Sequence, residues 1–314
     1  MYRRHFLSAA LGGAIAALAV KAQAAALKEI RIGFQKAGVL FAFKQRRTLE
    51  SAFEAQNIAI KWIEFPFGPP ILEALATGSV DFGFTGDAPP IFSQAAGADL
   101  LYVAALPKNS IEGIVVREDS PIRTIGDLKG RAIAIPKGSS AHNMTIAALE
   151  KAGLSFGDIK PVYLAPADGF AAFSRGSVDA WTIWDPYFAL AQKAGARVVA
   201  LNTEVEQPSQ FFLAARSFAE QNPRTLSQLI DVFAGEFAWA RAHRPELAQA
   251  IHDATGIDEE AILKAVQRAD LDVVPLNDAI VANQQAAADR FFRTGLIPRK
   301  IAVRDIIWTW TPSS

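Results

Sequence analysis

Short apolar runs alternate with amphipathic stretches from residue 27 to about residue 201, the order that builds sheets flanked by helices. Residues 30–34 read as a first strand, 40–55 as a helix and 58–65 as the next strand. Residues 69–77 predict a helix ended by Gly78, at the position where a left-handed residue closes the last turn. A buried strand at 80–84 follows, and Asp87-Ala88-Pro89-Pro90 opens another helix with a cap and early prolines. Residues 100–106 form the last strand of this set. The plan then recurs, with strands at 131–135, 160–164, 178–183 and 197–201 and helices at 140–152, 170–175 and 186–194. From Asn222 the pattern turns wholly helical, with starts at Asn222-Pro223, Arg244-Pro245, Asp258 and Asn277 and a stop at Gly295.

The recurrence extends to the residues themselves. Gly78-Ser79-Val80-Asp81, Asp87, Gln94 and Ala96-Gly97-Ala98 return, without a gap, as Gly176-Ser177-Val178-Asp179, Asp185, Gln192 and Ala194-Gly195-Ala196. One pattern used twice predicts two similar α/β lobes facing each other, with a cleft between them suited to a small ligand. A helical tail that returns to the first lobe gives two chain crossings, near residues 107–112 and 207–214. The expected division is 27–108 plus 214–314 for the first lobe and 109–213 for the second. Paired crossings form a hinge, and a hinge implies closure on a ligand.

Composition narrows the partners. Apolar residues make up 51% and charged residues 20%, an ordinary globular mix, and basic and acidic residues balance at 32 each. That balance argues against nucleic acid and anionic membrane. Residues 1–24 read as a signal peptide: Arg3-Arg4 precede an apolar run too short to span a bilayer, and Ala22-Gln23-Ala24 has the form of a signal-peptidase site. Arg3-Arg4-His5-Phe6-Leu7 also fits a twin-arginine signal, with Lys21 near the cut. Without that leader the chain carries a net charge of about −3. There is no cysteine, which excludes a disulfide framework, a thiolate metal site, a cysteine nucleophile and a lipid anchor on an N-terminal cysteine. The mature protein is therefore expected to be exported and soluble, in the periplasm.

Catalytic signatures are missing. The chain has no Gly-x-Ser-x-Gly, Walker A loop, dinucleotide fingerprint or His-Glu-x-x-His. Of four histidines only His142 sits beside a candidate site, and with no second imidazole nearby in sequence neither a metal nor a cofactor is expected.

Two strand-to-helix turns carry the binding chemistry instead: Thr85-Gly86-Asp87 and Pro136-Lys137-Gly138-Ser139-Ser140. Helix N-termini present free N–H groups and partial positive charge, so two of them across a cleft suit an anion. Read alone, either turn is also an ordinary capped helix start. Asp87 and Asp185 correspond in the repeat, and each reads as a helix cap, as a wall of the site, or as both. Trp184 stands where the first lobe has Gly86, either as a flat apolar wall or as core filling. Gln35 ends the first strand, where open sheets direct side chains into the ligand crevice. Lys36 and Lys137 add charge or are merely solvated, and Phe65-Pro66-Phe67-Gly68-Pro69 lines the apolar end of a pocket or packs in the core.

Residues 85–100, from Thr85-Gly86-Asp87 through Gln94-Ala95-Ala96-Gly97-Ala98-Asp99-Leu100, closely resemble the periplasmic aliphatic sulfonate-binding proteins of ABC importers. So do Lys137-Gly138-Ser139-Ser140-x-His142-Asn143, Val178-Asp179-Ala180-Trp181-x-Ile183-Trp184-Asp185-Pro186-Tyr187 and Leu213-Ala214-Ala215-Arg216. The resemblance implies a two-lobed, hinged binding protein of the type II periplasmic-binding-protein fold, monomeric and not an enzyme. It would close over an alkanesulfonate and deliver it to a permease driven by a cytoplasmic ATPase. By position, the ligand residues it implies are Gln35, Gly86, Asp87, Ser139, Ser140, His142, Trp184 and Asp185. Local departures at Lys36-Ala37-Gly38-Val39, Phe67 and Pro208-Ser209-Gln210 bear on the tail preference. Taurine, nitrate and a thiamine-precursor pyrimidine are the rival ligands, and an enzyme on the same scaffold is the rival class.

Overall fold

The computed structural model describes residues 27–107, 111–206 and 208–312. The leader expected at 1–24 lies outside the described residues, as does part of the first crossing.

The chain begins with β1 (Glu29–Gln35), β2 (Ala59–Phe65), β3 (Phe82–Thr85) and β4 (Leu100–Pro107). It then builds β5 (Glu112–Val116), β6 (Ala132–Ile135), β7 (Lys160–Tyr163), β8 (Ala180–Trp184) and β9 (Arg197–Leu201), and returns as β10 (Ser209–Ala215). The strands form two five-stranded sheets, β2-β1-β3-β10-β4 and β7-β6-β8-β5-β9. The orders match strand for strand. In each, three parallel strands are followed by one antiparallel strand delivered by a crossing: β10 runs against β3 and β4, and β5 against β8 and β9. Each sheet therefore contains the strand that enters from the other half of the chain.

The repeated Gly-Ser-Val-Asp explains itself here. Gly78 and Gly176 hold left-handed φ values of 71° and 72°, which a side chain would strain. The aspartates that follow do the same job in both sheets: Arg31 N donates to Asp81 Oδ2 and Ala132 N to Asp179 Oδ2, each at 2.8 Å. A main-chain bond of 2.8 Å runs back in each case, from Asp81 N to Arg31 O and from Asp179 N to Ala132 O. The motif staples each third strand to the start of its neighbour.

Flanking helices are α1 (Leu40–Arg46), α2 (Thr48–Glu54), α3 (Gly68–Ala76) and α4 (Ala88–Ala96) around the first sheet. The second has α5 (Ser140–Lys151), α6 (Pro166–Ser174) and α7 (Tyr187–Lys193). The tail supplies α8 (Arg216–Gln221), α9 (Pro223–Ala242), α10 (Arg244–Thr255), α11 (Glu259–Arg268) and α12 (Asp278–Arg293). Leu226, Leu229, Ile230, Phe233 and Phe237 lie on one face of α9 and are buried in the first core. There Phe233 stacks on Phe82 at 5.4 Å, and Phe237 meets Phe43 edge-on at 5.0 Å.

Three expectations are corrected. The single helix at 40–55 is two, because Arg47 adopts a left-handed φ of 56° and breaks the hydrogen-bond ladder. The crossing near 107–112 leads into strand β5, which the pattern did not announce. The return to the first lobe begins at Ser209, not at residue 214, because Ser209 already pairs with Pro107 in the first sheet.

Candidate ligand cleft

The carboxyl ends of β1 and β8, the β3–α4 turn and the β6–α5 turn meet between the two sheets. They enclose a narrow polar cavity of about 30 Å³, lined by Gln35, Gly86, Glu112, Ser139, Ser140, Trp184 and Gln210, with Gly68 and Pro89 closing it. Gln35, Trp184 and Gln210 also line a second cavity of about 140 Å³, walled by apolar groups including Leu40, Phe84, Leu247, Ile251, Val266 and Leu271. A polar compartment thus opens past one indole and two carboxamides into an apolar one, to which both lobes and the tail helices α10 and α11 contribute.

The two helix starts are not equivalent. At α4 the first N–H, on Ala88, already donates to Asp87 Oδ1 at 2.8 Å, and Pro89 and Pro90 have none to give. At α5 no side chain caps the helix, so the amides of Ser140 and Ala141 lack intrahelical acceptors. The end with free backbone donors is therefore α5, and the expected symmetric pair of donor turns reduces to one. Ser139 Oγ already has a protein acceptor, donating to Pro136 O at 2.6 Å, and the Ser140 hydroxyl lies beside the Glu112 carboxyl. The backbone N–H groups of Ser140 and Ala141 are left to face a ligand, and Gln35, whose Nε2 donates to Phe84 O at 3.4 Å, lines the cavity beside Gln210.

Three candidates stand off from the polar cavity. Asp87 is buried and turned toward α5, accepting from Asn143 Nδ2 at 2.6 Å. That amide also donates to Glu206 at 2.9 Å, while Arg290 Nη1 donates to both Asn143 Oδ1 and Glu206 Oε2 at 2.7 Å. Burial and the nearby Glu206 charge push the Asp87 carboxyl up to about 7. Asp185 walls the apolar cavity, but Arg268 grips its carboxylate with two bonds of 2.7 and 2.6 Å. His142 lies behind the turn: its Nδ1 accepts from Gly138 N at 3.2 Å, its ring is 4.9 Å from Phe156, and burial lowers it to about 4, so it is neutral. The repeat-related acids are thus reciprocal clasps. Asp87 of the first lobe holds a residue of the second, and Asp185 of the second holds a residue of the tail.

Glu112 and Gln210 are the cavity residues that the sequence reading missed. Glu112 is a lone acid opening the apolar run Gly113-Ile114-Val115-Val116, an oddity that could have drawn notice. Lys36 and Lys137 are exposed, and Lys137 sits 5.4 Å from the Tyr163 ring. Among the described residues no cluster of His, Asp or Glu could hold a metal ion, and no helix is long and apolar enough to cross a membrane.

Two matched α/β lobes, joined by paired crossings and enclosing a cleft at strand and helix ends, define a solute-binding protein of the periplasmic-binding-protein fold. The family described as NMT1/THI5 like matches residues 53–248. An aliphatic sulfonates-binding protein of Escherichia coli (strain K12) is 42% identical over 97% of this chain and 97% of its own length. The alkanesulfonate-binding protein SsuA from Xanthomonas axonopodis pv. citri, solved bound to MOPS, superposes with a TM-score of 0.84 at 39% identity, covering 91% of this chain and 99% of that one. The periplasmic aliphatic sulphonate binding protein SsuA from Escherichia coli gives 0.81 at 42%, covering 91% and 94%. The chain belongs to the NMT1/THI5-like family, on its branch of aliphatic sulfonates-binding proteins.

Proposed function

We propose that this protein captures aliphatic sulfonates, head group in the polar cavity and hydrocarbon body in the apolar one. It acts in the periplasm as a monomer and hands the ligand to an ABC permease with its cytoplasmic ATPase, for sulfur uptake. The carrying observation is the junction at Gln35, Trp184 and Gln210, where a compartment at the free N-terminus of α5 joins an apolar compartment. A sulfonate is a monoanion with three acceptor oxygens and no donor, which suits N–H groups and carboxamides. In this reading Gln35, Gly86, Ser139, Ser140 and Trp184 bound the ligand directly. Asp87, Asp185 and His142 hold the walls. The lobes, divided near residues 108 and 209, part to admit the ligand and close over it.

The rivals fit the cavities less well. Taurine carries an ammonium that needs a carboxylate at the tail end, and Asp185 there is already held by Arg268. Nitrate would leave the apolar cavity unfilled. Titration calorimetry with short alkanesulfonates, taurine and nitrate tests the reading. Butanesulfonate is expected to bind tightest, and taurine or nitrate binding more tightly than every alkanesulfonate would reject it.

A further inference from the structure

Glu112 is an acid in a compartment suited to anions. It opens β5 opposite Trp184 of β8, lines the polar cavity and is 4% exposed. The Ser140 hydroxyl lies beside its carboxyl, and Oε2 is buried without a hydrogen-bond partner. A buried, unpartnered oxygen is costly unless something arrives to use it. The charges that face it are themselves acidic: Asp87 from the start of α4, Glu206 from the crossing after β9 and Asp185 from the end of β8. The cations nearest those acids are engaged: Arg290 with Glu206 and Asn143, Arg268 with Asp185 and Gln192. His142 behind the turn is neutral. An ionised Glu112 would set a like charge against the sulfonate with no unengaged cationic side chain beside it among those named.

We propose that Glu112 holds the ligand as the neutral acid, its Oε2–H donating to a sulfonate oxygen, so that closing over the anion takes up one proton from solvent. This rests on the sulfonate reading above. No bond other than Oε2–H forms: carboxylate, proton and sulfonate anion enter, and a neutral acid hydrogen-bonded to the anion results. Burial raises the Glu112 carboxyl well above the usual range, in the same direction. In the parted cleft the carboxyl faces water and returns toward the ordinary range of a solvated glutamate. Binding must then weaken as pH rises, by up to tenfold per unit, because the closed state holds a proton that the open state has lost.

The test is calorimetric titration of the full-length mature protein with butanesulfonate from pH 5.5 to 8.5, in two buffers of different ionisation enthalpy. The wild type is expected to take up close to one proton per ligand at pH 7.5 and to lose at least tenfold in affinity between pH 6.5 and 8.5. Glu112→Gln keeps an N–H donor and cannot ionise. It is expected to bind with no proton uptake, with affinity that varies less than threefold with pH, and more tightly than wild type at pH 8.5. Wild-type binding that is pH-invariant without proton uptake overturns the proposal and leaves the sulfonate reading standing, whatever the variant does. Glu112→Gln that still takes up a proton also overturns it, and points to Asp87 as the titrating group. Failure of the wild type to bind any sulfonate at any pH overturns both.

Discussion

Gly86 of the first lobe faces Ser140 of the second so closely that an added methyl would stand 3.0 Å from the serine Cβ and 3.1 Å from its Oγ. Contacts at 3.0 Å are tighter than carbon atoms accept without movement. The glycine lets the two lobes meet over the polar cavity. Gly86→Ala should hold the lobes apart, costing at least tenfold in affinity for every alkanesulfonate while shifting the ligand-free Tm little. Calorimetry beside a thermal melt checks this, and unchanged affinity would mean that closure does not pass through this contact.

Trp184 supplies the shared wall of both cavities. Burial of each tail methylene contributes about 0.8 kcal/mol. Trp184→Ala should therefore flatten the gain in affinity per methylene and weaken octanesulfonate more than methanesulfonate. A parallel loss for both ligands would place the indole's role at the head group instead.

The clasp between Asp185 and Arg268 joins the second lobe to α11. Its side chains keep 7% and 23% exposure, so the pair is largely desolvated and removing one partner strands the other. Arg268→Ala is expected to cost about 2 kcal/mol in stability. The exposed pair Arg304–Asp278, at 68% and 89%, serves as the control, and Arg304→Ala should cost under about 0.5 kcal/mol. Urea melts of the two variants give the comparison, and equal costs would contradict the burial argument.

Asp87 adds a pH dependence whose sign follows from burial. Its carboxyl lies near 7 when folded, against about 3.9 unfolded, so the folded state binds more protons between those values. Its contribution to stability is complete below about pH 4 and is lost as pH rises toward 7. Asp87→Asn should reduce the fall in Tm over that window. Melts at half-unit steps from pH 4 to 8 measure the slope, and an unchanged slope would show that Asp87 does not titrate there.

The architecture was legible because it rests on local signals used twice. Gly78 and Gly176 and the proline-led helix starts are written in neighbouring residues, and each has its expected backbone role; the repeated Gly97 and Gly195 share a left-handed φ of 89°. The cavity was legible where strand and helix ends define it, at Gln35, Gly86, Ser139, Ser140 and Trp184. It was not legible where a side chain's partner lies far along the chain. Asp87 reads as a cap, and it is one, but Asn143, Glu206 and Arg290 decide where its second oxygen points. Asp185 likewise depends on Arg268 in a different helix. Glu112 and Gln210 sit on the two crossing strands, whose placement inside the opposite sheets no periodicity announces. Of the local departures from the family pattern at residues 36–39 and 208–210, Ala37, Gly38, Val39 and Gln210 line the apolar cavity.

The central claim is that one ligand spans both compartments, charge in the narrow one and hydrocarbon in the wide one. The most direct measurement is the dissociation constant of the wild-type protein for each straight-chain sulfonate from methane to octane at fixed pH and salt. The account predicts a gain of about threefold to fourfold per methylene over the first members, from about 0.8 kcal/mol of burial each, until the apolar cavity is full. Affinity that does not change with chain length, or binding of none of the series at millimolar concentration, would contradict it.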